Sequence, residues 1–227
     1  MSEVWISGIL SDHRIGNKQG LRWKYPAEDW TSANHIVDKE VVSDLARRGE
    51  LYVSGYRLPD EDVPEAGAIW DPRCFAGTGD LFMVGHMYAV KPRLAEVLSR
   101  FDLGEGGLSP VTIWQSDLQT PAPGEYWLLH LGARKDSFLA EQSNQENYRV
   151  RHFSDDPETG LPRWKTSPGM QDGDVAVSQA ALEGADLWVE ARMWHKLFMS
   201  GALADALNET KLKKVDFRLK QCRVVGG

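Results

Sequence analysis

Cysteine is nearly absent from this 227-residue chain: Cys74 and Cys222 stand far apart, with no CxxC spacing. That excludes a disulfide scaffold and denies zinc its paired thiolates, so both read as buried or idle thiols of a reducing compartment. No stretch approaches the ~20 apolar residues of a membrane span. The opening Met1-Ser2-Glu3-Val4-Trp5 lacks the basic and then apolar order of an export signal, and a cytoplasmic location is expected. Basic charge is in deficit, 26 Lys and Arg against 33 Asp and Glu for a net −7, which argues against a general nucleic-acid binder. The motifs of common enzymes are missing too. Ser7-Gly8, Ser54-Gly55 and Ser200-Gly201 lack the leading glycine of GxSxG. Gly77-Thr78-Gly79-Asp80 precedes an apolar run, not a helix, and reads as a turn rather than a phosphate cradle. The six histidines (His13, His35, His86, His130, His152, His195) never fall at HxH, HxxxH or HExxH spacing, so neither a metal nor a cofactor is expected.

What the chain has in plenty is tryptophan, nine residues against seven Phe and six Tyr. A chain of this length buries roughly 70% of its unfolded surface and needs no staple. Val4-Trp5-Ile6 and Leu51 to Tyr56 read as strands, with a helix between them that starts at an Asp38 N-cap, turns Val41, Val42 and Leu45 to one face and stops at Gly49. Residues 57–80, rich in Pro, Gly and acids, read as a loop or linker. Then come the apolar run Leu81 to Val84 and a helix opened by Pro92, with Leu94, Val97, Leu98 and Phe101 at buried-stripe spacing. Val111 to Trp114 and Tyr126 to Leu131 follow as strands. Residues 141–184 are weakly patterned, with Tyr148 to Phe153 the best strand. Asp186 to Glu190 is a strand, and Ser200 caps a helix carrying Leu203 and Leu207. Val215, Phe217 and Leu219 alternate with Asp216, Arg218 and Lys220 as a last strand, and a bulge near Lys220-Gln221 accounts for the parity change at Cys222. The sum is α+β: mostly antiparallel sheet, with a few helices on one face. A boundary falls near residue 75, dividing segment 1–75 from 76–227, unless the two are one continuous domain.

Two sets of residues carry candidate chemistry. The acidic run Asp60, Glu61, Asp62, Glu65 and Asp71, with Trp70 among it, is either a solvated loop or an acidic surface with an aromatic anchor for a basic partner. Glu190 and His195, with His130, form an alternative polar pocket, which would make the chain a hydrolase-like enzyme assembled from distant residues. A scaffolding protein of other partners is the third class. The C-terminal excess of Lys211, Lys213, Lys214, Arg218, Lys220 and Arg223 reads as a solvated sheet face. Trp5, Trp114, Trp127 and Trp188 belong to apolar strands and the core; Trp23, Trp30, Trp70 and Trp164 are the candidates for a partner surface.

The run from Asp186-Leu187-Trp188 through Phe198-Met199-Ser200, Leu203 and Leu207 to Phe217-Arg218-Leu219, Cys222 and Val224 resembles the type-eleven immunity proteins of bacterial polymorphic-toxin systems. Phe82 to Val84, Leu94 to Leu98, Ser109-Pro110-Val111 and Tyr126 to Leu129 extend the resemblance over about residues 80–225. The first seventy-odd residues match no known pattern. The resemblance implies a cytoplasmic, non-enzymatic protein that binds and blocks a cognate toxin domain, with no catalytic residues. The charge balance and the absence of a long apolar run add that neither nucleic acid nor membrane is expected as a partner.

Overall fold

The computed structural model describes residues 3–16, 19–31, 39–156 and 159–226. In chain order come β1 (Val4–Ser7), α1 (His13–Gly16), β2 (Leu21–Lys24), α2 (Lys39–Val53), β3 (Ala66–Ile69), α3 (Pro72–Ala76), β4 (Leu81–Val84), β5 (Met87–Val90) and α4 (Pro92–Leu98). There follow β6 (Gly107–Pro110), β7 (Thr112–Trp114), β8 (Trp127–His130), β9 (Arg134–Lys135), β10 (Val150–Asp155) and β11 (Pro162–Thr166). The chain closes with β12 (Ala176–Ser178), β13 (Leu187–Glu190), β14 (Leu197–Ser200), α5 (Gly201–Glu209), β15 (Lys220–Gln221) and β16 (Arg223–Val225). The fold is α+β with mostly antiparallel pairing, as the sequence predicts.

A five-stranded sheet, ordered β15-β1-β14-β13-β9, forms the middle layer. Its register puts Ile6 opposite Phe198 and Trp188 opposite Phe198 on the other side. Because side chains alternate along a strand, Leu187, Val189, Leu197 and Met199 enter one core while Val4, Ile6, Trp188 and Phe198 enter a second. The first core is the larger and holds α4, α5 and the antiparallel sheet β4-β5-β8-β6. The second is closed by Phe138, Val150, Val175, Val177 and Cys222. The Trp188 and Phe198 rings stack there, 6.0 Å between centroids, and burying each is worth about 2–3 kcal/mol.

The hairpin β4-β5 leads into α4, and the hairpin β13-β14 leads into α5. The two helices pack against each other. Ser200 caps α5 by accepting from the Leu203 N–H at 3.3 Å. Tyr52 closes the same core from α2, donating to the Leu129 carbonyl at 2.9 Å. The first core therefore contains Ile9, Leu21, Tyr52 and Ile69 together with Leu94, Leu128 and Leu203, and it runs continuously across residue 75.

Four expectations need correction. Leu51 to Val53 is not strand but the end of α2, which runs through Gly49. The i, i+4 pair Arg48 and Tyr52, both buried, holds that last turn on the core and overrides the β propensity of Leu-Tyr-Val. The Asp38 cap and the side chains of Val41 and Val42 lie outside the described residues, as does His35. The stretch 57–80 is not a linker: β3 is buried throughout, and α3 starts on an Asp71 cap with Pro72 in its first turn. Val215 to Leu219 is not strand, although Val215, Phe217 and Leu219 pack on the first core. Asp216 accepts from the Arg218 N–H at 2.9 Å and Arg218 takes φ +48, a local turn that competes with extension. At Cys222 the chain changes sheets, β15 pairing with β1 and β16 with β12, and this change sets the parity. Finally, of the four tryptophans expected in the core, Trp188 is fully buried, Trp5 and Trp127 are half-buried and pack on the first core, and Trp114 is half-buried. No helix among the described residues is long and apolar enough to cross a membrane.

Candidate functional site

The acidic set is divided by β3. Asp60, Glu61, Asp62 and Glu65 precede this buried strand, and Trp70 and Asp71 follow it. Asp62 is buried and ion-paired with Arg48 (Nε–Oδ1, 2.9 Å) and Arg47 (3.1 Å). Arg48 also reaches Glu28 and Asp44, each at 2.8 Å, and lies 4.2 Å over the Tyr25 ring. These contacts fasten α2 to the loop before β3, a structural network. Glu65 pairs with Lys24 at 2.6 Å. Asp71 accepts from the Cys74 and Arg73 N–H groups, and those bonds hold its carboxyl below the usual range. Asp60 and Glu61 remain exposed, and so does Trp70, at 46%. Trp23, Trp30 and Trp164 are half-buried.

The alternative polar pocket does not assemble. Glu190 is buried in the second core, where Oε1 accepts from the Ser137 and Phe138 N–H groups (2.5 and 3.2 Å). Its Oε2 accepts from Ser137 Oγ (2.7 Å) and Trp188 Nε1 (3.4 Å). Burial pushes its carboxyl pKa up, opposed by those bonds. The Lys135 ammonium, 3.6 Å over the Trp188 ring, donates to the carbonyls of Ala181 and Ala185. His195 instead meets Glu50 of α2 (Nε2–Oε2, 3.2 Å), and Arg163 holds the other oxygen at 2.6 Å. His195 and then Arg163 hold the Glu50 pKa down at about 2. His130 is bonded to Ser109 Oγ at 2.7 Å, and burial lowers its pKa. The three residues sit in three separate hydrogen-bonded clusters. His130 does share a pocket of about 260 Å³ with Asp60, Arg57 and Glu105, so one residue of each sequence-derived set meets there. Among the described residues no group of three or more His, Cys, Asp and Glu could hold a metal.

Two sites escaped the sequence reading. One is buried: the Tyr25 hydroxyl and His86 Nδ1 lie 2.6 Å apart, with the two rings stacked and Tyr52 edge-on to the imidazole. Gly85 precedes it at φ +63, and a Cβ there would stand 2.6 Å from the Tyr25 hydroxyl. No spacing rule joins residues 25, 52 and 86. The other is an open cleft of about 930 Å³ beside the end of β1, lined by Arg151, Lys165, Lys196, Arg218 and Lys220. The C-terminal excess of Lys and Arg was its one visible signal, since the other cations are scattered along the chain. Trp194 borders it, its ring stacked on His195 at 3.9 Å and packed on Phe153 at 4.8 Å.

No protein-family model matches the chain, and no curated protein matches it.

Proposed function

We propose that the chain is an immunity-type binding protein, which neutralises a bacterial toxin domain in the cytoplasm by covering it rather than by chemistry of its own. The observation that carries this reading is the use the fold makes of the residues behind the resemblance. Trp188 and Phe198 stack in the second core, Ser200 caps α5, Leu203 and Leu207 face the first core, and Cys222 marks the change of sheet. They form one framework across both cores. The same frame spends Glu190 and His195 on holding segments together. Asp60, Glu61 and Trp70 stay exposed, the groups an inhibitor uses to steer and anchor a basic partner.

The experiment is to search the genes beside this one for a polymorphic-toxin domain and to co-express the chain with it; a neighbourhood without such a gene counts against the reading. Growth is expected to be restored by the chain, and the rescue is expected to be weakened by Asp60→Lys with Glu61→Lys. Equal killing with and without the chain refutes the immunity reading; full protection by the charge-reversed variant refutes only the assigned face.

A further inference from the structure

Cations crowd the open cleft with too few carboxylates to answer them. Arg151 of β10 and Lys165 of β11 stand directly opposite each other in the ribbon register. Like charges facing across two strands repel and weaken the pairing, and neither side chain has an ion-pair partner among the described residues. The Lys165 ammonium lies 4.2 Å over the Phe153 ring. A second pair flanks β1: Lys196 immediately precedes β14 and Lys220 opens β15, and both strands pair with β1. A Cβ at Gly8 would stand 3.2 Å from Lys196 Nζ, so the glycine keeps the room around that ammonium clear.

Lys196 is partly buried, and burial alone pulls its pKa down, with no neighbouring carboxylate raising it. An enclosed ammonium without a counter-ion destabilises the empty protein. Arg14 and Arg218 complete the lining, each beside its own carboxylate, Asp12 and Asp216. Six cations against two carboxylates leave the cleft four positive charges in excess, in a chain of net charge −7.

We propose that this cleft binds a small ligand through a di- or triphosphate group. Such a group concentrates about three to four negative charges within a few ångströms, matching the excess. Guanidinium forks grip phosphate oxygens in pairs and ammonium groups act as point charges beside them. A nucleic-acid strand fits less well, because it runs out of the cleft onto an acidic protein, and Trp194 already packs against two rings. An acidic peptide would need several carboxylates in one short stretch. The site is independent of the toxin-binding reading, and neither stands or falls with the other.

Calorimetric titration of the full chain with pyrophosphate, ATP, inorganic phosphate, hexaglutamate and a short single-stranded DNA tests it, at low and at high salt. Pyrophosphate or ATP is expected to bind saturably and more tightly than inorganic phosphate. Equal affinities for the first two mean that the phosphates alone are read, and tighter ATP binding means that the nucleoside is read as well. Lys196→Gln, and separately Arg151→Gln with Lys165→Gln, should each weaken binding about tenfold or more, the worth of a lost charge-assisted hydrogen bond. The ribbon variant changes two side chains that belong to neither core, so it keeps the test valid if Lys196→Gln fails to fold. No saturable binding of either phosphate probe, or binding unchanged in the variants, overturns the proposal. So does tighter binding of hexaglutamate or DNA, which would assign the cleft to a macromolecule.

Discussion

Acidification should weaken this protein well above the range where carboxylates titrate, and His86 is the reason. The imidazole is buried at the turn between β4 and β5, with Nδ1 against the Tyr25 hydroxyl and Nε2 buried without a hydrogen-bond partner among the described residues. Burial and then the nearby Arg48 cation lower its pKa from 6.5 to about 4. A depressed histidine pKa means that the unfolded chain takes up its proton first, so stability rises with pH across this window. The contribution vanishes above the unfolded value of 6.5, where both states are neutral. At pH 5 it costs about 2 kcal/mol, growing to about 3 kcal/mol near pH 4. Glu50, held down at about 2, is a depressed carboxylate whose loss begins only below its unfolded value of 4.5, so pH 5 is clear of it. His86→Asn keeps a polar atom near the Nδ1 position and removes the titration. Urea unfolding at pH 8, 7, 6 and 5 should show the parent losing about 2 kcal/mol more than the variant over that range. His130 titrates equally in both proteins and cancels. Parallel losses in the two proteins would refute a buried imidazole whose Nε2 lacks a partner.

Glu190→Gln should cost about 1–3 kcal/mol in urea unfolding, because every orientation of the new amide turns its NH₂ toward donors now served by a carboxylate; an unchanged midpoint would show that these bonds do not hold segment 137–138 to β13. Ser200→Ala should cost about 1 kcal/mol through the lost cap on α5. A loss well below that, read by the same unfolding, would mean that packing of Leu203 and Leu207 alone sets where the helix begins.

The parts of this fold legible in the sequence are those where local pattern and burial agree. The α4 stripe, the β13 and β14 strands and the Ser200 cap each carry their own signal, since one face of each is apolar and their ends are marked by Pro92 and Ser200. Legibility fails where a tertiary partner decides. Tyr52 reads as strand and is helical because the first core and the Leu129 carbonyl receive it. Val215 to Leu219 alternates like a strand, yet the turn at Asp216 and Arg218 bends it away from ladder geometry. The Asp71-Pro72 start of α3 was readable and was hidden by the acids around it. Among the candidate sites, the acidic run is visible in composition, but composition cannot tell Asp62, sealed under Arg48, from Asp60, open to solvent. The cleft is the opposite case. Arg151, Lys165 and Lys196 carry no signal singly, and only the β10–β11 register and the two partners of β1 bring them to one place with Lys220.

The most direct test of the central claim is survival of cells that express a polymorphic-toxin domain found in the genes adjacent to this one, with and without this chain. The chain is expected to restore growth, and the two proteins to co-purify as a stable complex with no change in the toxin's covalent mass. Killing at the same rate in both cultures, or rescue accompanied by chemical modification of the toxin, would contradict an inhibitor that acts by binding alone.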